Sequence, residues 1–129
     1  MFKTAIFVGI FSLLAFQAYN YYYKQLEVSI TKPSKKQIEI SSKWPIWEKE
    51  ISEFDYSYDK TEQCLILEGE VDILANNKKW SFTKGDYVVF PKGFKCKWVI
   101  KKPVKKHYNF IEAVIIFFIN LIGKNLRVY

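Results

Sequence analysis

Histidine, arginine, methionine and cysteine are almost missing from this chain of 129 residues. It has one histidine (His107), one arginine (Arg127), one methionine and two cysteines, Cys64 and Cys96. A lone histidine excludes any multi-histidine metal centre. Two cysteines without a CxxC pair make neither a disulfide framework nor a structural zinc site. No Ser-His-Asp arrangement, phosphate-binding glycine loop or HExxH stretch occurs, so few kinds of enzyme chemistry remain. The net charge of +7 rests on lysine. Nucleic-acid readers lean on the bidentate fork of arginine, so no nucleic-acid partner is expected. The length allows one domain. A hydrophobic fraction of 50% with 19% aromatics excludes disorder and favours a packed, β-rich core.

The lysines are unevenly placed: seven fall between Lys92 and Lys106, a stretch without an acid. Such a run reads as a solvated face, with an anionic ligand or membrane surface as the alternative. The N-terminal MFKTAIFVGIFSLLAFQAYNYYYKQ reads as a targeting segment over residues 1–25, with Lys3 as the positive region and Ala5 to Phe16 as the apolar run. Cleavage near Ala18 makes it a signal peptide. An uncleaved anchor, with membrane association through residues 4–23, is the second reading, and an ordinary hydrophobic element the third. A secretory or membrane-anchored location follows, with a plastid route in an alga or related eukaryote.

From residue 26 to 110 short strands alternate with turn residues. LEVSI is broken by TKPSKK. WPIWEKEI and FDYSY follow, then EQCLILEGEVDIL, interrupted at Glu68-Gly69. Asn76-Asn77 suits left-handed dihedrals and predicts a hairpin. KWSF, YVVFP and KCKWVI complete the set, and no segment of this core has a convincing helical period. The pattern predicts an all-β antiparallel sandwich or barrel. Residues 111–129 form a hydrophobic C-terminal extension of unassigned role, too short to span a membrane comfortably.

In FDYSYDKTEQCLILEG (54–69), Tyr56 and Tyr58 share one strand face, as do Glu62 and Cys64. Downstream, GDYVVFPKGFKC runs from Gly85 through Pro91 and Gly93 to Cys96, and Glu62 is followed at six residues' spacing by Gly69. These stretches, with WPIWEKEIS and PVKKHY, resemble the two motifs of small single-domain cupins of the (S)-ureidoglycine aminohydrolase cupin-domain type. The resemblance implies an RmlC-like jelly-roll: two antiparallel sheets folded into a short barrel around a cavity. Metal-binding cupins carry a His-x-His pair before the glutamate and a third histidine in the second motif. Those positions are Tyr56, Tyr58 and Cys96 here, and Glu62 alone is kept.

On the cupin register, Tyr56, Tyr58, Glu62, Cys64, Cys96 and Trp98 face the cavity. No cofactor is expected. A divalent metal held by Glu62 and Cys96 is the alternative, thiolate suiting softer metals. Aromatics filling the space, or a pocket for a small polar molecule, are the other readings. Glu62 is either a general base raised by burial or a carboxylate satisfied by the Tyr56 or Tyr58 hydroxyls. The two cysteines are free buried thiols, a bridge or a reactive thiol. Lys49 packs its stem while its ammonium seeks a polar partner. His107 is a proton carrier or a structural histidine. The functional expectation is binding of a small molecule; the alternative that the resemblance implies is hydrolysis of a ureido compound with Glu62 as base. A homodimer is also expected from the resemblance.

Overall fold

The computed structural model describes residues 2–112, with side-chain environments from residue 9 onward. The order is α1 (Phe2–Lys24), β1 (Ser29–Thr31), α2 (Lys35–Ser41), β2 (Ile46–Lys49), β3 (Ser52–Ser57), β4 (Thr61–Ala75), β5 (Lys78–Thr83), β6 (Tyr87–Phe90) and β7 (Lys95–Ile111). The C-terminal extension lies beyond the described residues except for the end of β7.

The architecture turns on β4 and β7, which pair antiparallel along nearly their whole length. Each changes its second partner half-way. The first half of β4 pairs with β6 and the second with β5, while the first half of β7 pairs with β3 and the second with β2. One layer is therefore β1-β6-β4-β7-β2 and the other β5-β4-β7-β3, sharing two bent strands. Glu68-Gly69 does not interrupt the strand, as its composition suggested; it bends it. Register shifts cluster between Ile66 and Val71. There Pro103, without an N–H, cannot complete the ladder. Gly69 has φ +110, and a Cβ on it would lie 2.7 Å from both the Pro103 carbonyl oxygen and the Val104 Cα. Only glycine permits that approach.

The jelly-roll expectation is met in its antiparallel two-layer character and corrected in its closure. Among the described residues no ladder joins β3 or β5 to β1 or β6, so the barrel stays open on one side. Asn76 (φ 50) and Asn77 (φ 60) turn the β4–β5 hairpin. The core between the layers is apolar and aromatic: Ile66, Val71, Ile73, Phe82, Val88, Phe90, Phe94, Trp98 and Ile100 are buried.

Two helices depart from the sequence reading. TKPSKK does not merely break a strand; it leads into α2. Ser34 accepts a hydrogen bond from the Gln37 N–H (3.1 Å), and the Gln37 side chain accepts one from the Ser34 N–H (2.9 Å). This reciprocal cap starts a helix of two turns, too short for a helical period to show. Along the part of α1 whose side chains are described, Phe11, Leu14, Phe16 and Tyr21 are exposed. Its last turn lies over the domain, where a Cβ on Gly93 would collide with the Tyr23 ring. The uncleaved membrane anchor, the second reading of residues 1–25, is not supported: among the described residues no helix is long and apolar enough to cross a membrane.

Candidate functional site

The space between the two layers holds a cavity of about 200 Å³, lined by Trp47, Phe54, Tyr56, Tyr58, Glu62, Trp98, Lys106, Tyr108 and Phe110. β4 supplies Glu62 and β2 supplies Trp47, while β7 supplies Lys106, Tyr108 and Phe110 from its second half and Trp98 from its first. Phe54 and Tyr56 come from β3 in the opposite layer, and Tyr58 follows that strand. The alternation of strand side chains puts these residues on the inner faces.

The polar centre is an ion pair. Lys106 Nζ donates to both carboxylate oxygens of Glu62, each at 3.1 Å, and both residues are 4% exposed. The ammonium also lies 4.9 Å from the ring centroids of Trp47 and of Trp98. Trp47 is its neighbour across the β2–β7 ladder. Burial alone would lower the Lys106 pKa, but the Cys64 sulfur and the Glu62 carboxylate outweigh it and hold the group above its ordinary value. Desolvated cation–π contacts add to that hold on the cation.

The rings form an ordered wall. Trp98 Nε1–H donates to the Tyr58 hydroxyl at 3.1 Å. Tyr58 stacks on Phe90, and Phe54 stacks on Trp98. Burial, then the nearby Glu62 charge, push the Tyr58 phenol far above its ordinary range, and the same two causes raise Tyr56. Both therefore stay neutral. Tyr56 and Phe110, 40% and 41% exposed, stand at the mouth.

Of the residues expected in the cavity, Tyr56, Tyr58, Glu62 and Trp98 line it. Cys64 does not: it is fully buried beneath the ion pair, within electrostatic reach of Lys106 and Glu62. Burial raises its thiol well above the ordinary range, with Glu62 adding to the effect against Lys106. Cys96 is buried opposite Tyr56 in the β3–β7 ladder, outside the lining. Desolvation, with Asp55 and Glu62, pushes its thiol up to about 12. Both cysteines are free.

Lys49 stays outside, its ammonium 4.9 Å over the Phe54 ring beside a surface hollow shared with Glu48 and Ser52. His107 points out of the opposite face of β7, where its Nδ1–H donates to the Trp44 carbonyl at 2.8 Å. That is a structural tether, far from a proton-carrying role in the cavity. Glu62 is satisfied by Lys106 rather than by tyrosine hydroxyls. Among the described residues no three of His, Cys, Asp and Glu gather as a metal-ligand cluster.

Sequence reasoning missed Trp47, Phe54, Lys106, Tyr108 and Phe110. Lys106 had been absorbed into the solvated lysine face. Yet Val104, Lys106, Tyr108 and Phe110 alternate, and a lysine interrupting an apolar alternation was the available signal.

Residues 39–108, more than half of the chain, match the model of the EutQ-like cupin domain. The chain belongs to the EutQ-like cupin domain family. Among solved structures, this EutQ-like cupin is similar to a DUF861 family protein from Thermotoga maritima, with 50% identity and a TM-score of 0.64, over 66% of this chain and all of the other. It is also similar to the EutQ protein of Clostridium difficile, with 21% identity and a TM-score of 0.50, over 69% of this chain and 71% of the other. That second likeness is one of fold. No curated protein matches the chain.

Proposed function

We propose that this cupin binds a small, flat, mostly apolar molecule with one polar end, without a metal. The carrying observation is a cavity of about 200 Å³ whose walls are aromatic and whose polar centre is one charged pair, Glu62 and Lys106. That volume is below the roughly 300–1,000 Å³ of drug-sized pockets, so the ligand is fragment-sized. Rings on several sides give area and stacking. Each Glu62 oxygen takes one hydrogen bond from Lys106, and the carboxylate, which also accepts from the Cys64 thiol, has acceptor capacity left for an N–H or O–H of the ligand.

This reading modifies the sequence expectation of a small polar ligand, since polarity is confined to one end. The ureidoglycine-hydrolase reading finds no favouring feature here: the carboxylate it would use as base has both oxygens on an ammonium. Binding is tested with benzamide and phenol as probes, following the indole N–H signals of Trp47 and Trp98 by NMR. Saturable shifts are expected. Glu62→Gln, still folded, should weaken them by about 10–100-fold, the equivalent of losing a hydrogen bond to a charged group. Absence of saturable shifts with either probe at millimolar concentration would refute the reading.

A further inference from the structure

The resemblance to metal-binding cupins places their ligand positions at Tyr56, Tyr58, Glu62 and Cys96. The chain's own groups around that point do not make a metal site. Glu62 has both oxygens on Lys106 Nζ at 3.1 Å. The remaining donors are two phenols and a thiol, with no second carboxylate and no imidazole lining the cavity beside them. Divalent cations need deprotonated ligands. The ammonium already engages both oxygens of the glutamate, the single ligand position that the resemblance keeps. It is enclosed by Trp47 and Trp98 rings at 4.9 Å on two sides and by Cys64 beneath.

We infer that Lys106 is a built-in cation standing in for the metal of this fold, with Glu62 as its counter-ion and Trp47 and Trp98 as its cage. A carboxylate plus facing indoles is alkylammonium-recognition chemistry, satisfied here from within the chain. The arrangement makes two functional statements. The centre stays charged and shaped at all physiological metal concentrations, and deleting the lysine stem leaves a receptor for a small alkylammonium ion. The inference does not depend on whether the cavity also binds a ligand, because its test reads the cation alone.

The first arm uses the wild-type full chain, titrated with Zn²⁺, Ni²⁺ and Mn²⁺ and assayed for bound metal after dialysis. No site that depends on Glu62 is expected. Stoichiometric metal that Glu62→Gln abolishes would overturn the inference. The second arm adds methylammonium to Lys106→Ala. The expected result is a rise in Tm of roughly 4–8 °C at about five times the dissociation constant of the amine. If the variant does not fold alone, recovery of folded circular dichroism on amine addition is the same readout. Wild type should be unmoved, and methanol, similar in size but uncharged, should not rescue. Failure of methylammonium to act, or equal rescue by methanol, would contradict an internal cation.

Discussion

Replacing Lys106 with methionine keeps most of the stem and removes the charge, which isolates the energetics of the pair. Glu62 would then be a carboxylate 4% exposed among aromatic rings, with no other cation hydrogen-bonded to it among the described residues. Removing one member of a buried pair costs about 3–5 kcal/mol, chiefly the desolvation of the charge left behind. Against a total stability of about 5–15 kcal/mol, that is a large share. With a urea m-value of about 2 kcal/mol/M, the midpoint should fall by about 2 M. The double variant Lys106→Met/Glu62→Leu removes both charges and should recover most of the loss, since apolar replacement of a whole buried pair is often neutral or stabilising. Urea unfolding followed by tryptophan fluorescence reads both, Trp47 and Trp98 being next to the site. A loss below about 1 kcal/mol for Lys106→Met would mean that water screens the pair as on a surface. A double variant as damaged as the sum of the singles would mean the two groups are not coupled.

Three further outcomes follow from other residues. Cys96 (about 12) and Cys64 keep protons that the unfolded chain releases near the ordinary value of 9.0. Their contribution is complete below that value and is lost as pH rises, by about 1.4 kcal/mol per pH unit for each thiol; urea midpoints should decline from pH 9 upward, and a flat profile to pH 10.5 would count against it. Gly69→Ala should cost more than about 2 kcal/mol, because the new Cβ meets backbone at 2.7 Å in a left-handed conformation; an unchanged midpoint would refute the bend assigned to Gly69 and Pro103. Tyr58→Phe removes the acceptor for the Trp98 indole and should cost about 1–3 kcal/mol with an altered Trp98 N–H signal; no change in either would mean the indole finds another partner.

Strand content and the main turns were legible because alternation and turn dihedrals are local. Asn76-Asn77 carries its own conformational preference, and the Glu62–Gly69 and Gly85–Cys96 spacings carried the cupin assignment, though not the ureidoglycine aminohydrolase type, the matching family being the EutQ-like cupin domain. What was not legible arises from non-local geometry. Glu68-Gly69 read as an interruption, but facing Pro103 across a ladder it bends a continuous strand. α2 is too short for periodicity, although its Ser34–Gln37 cap was readable. Parity put Cys64 on the right side of its strand but could not give depth, and the thiol lies under the ion pair instead of in the cavity. Lys106 was misread because charge runs were judged by composition; position 106 belongs to the alternation of Val104, Tyr108 and Phe110.

Lys106 is a buried, caged cation. The most direct measurement is NMR of the lysine side-chain ammonium groups at neutral pH and low temperature. Surface ammonium protons exchange with water too fast to be seen, so a single slowly exchanging ¹⁵Nζ signal is predicted, with Hε protons shifted upfield by the Trp47 and Trp98 rings and lost in Lys106→Met. If every lysine in the protein shows fast-exchanging, unshifted signals, the caged cation does not exist.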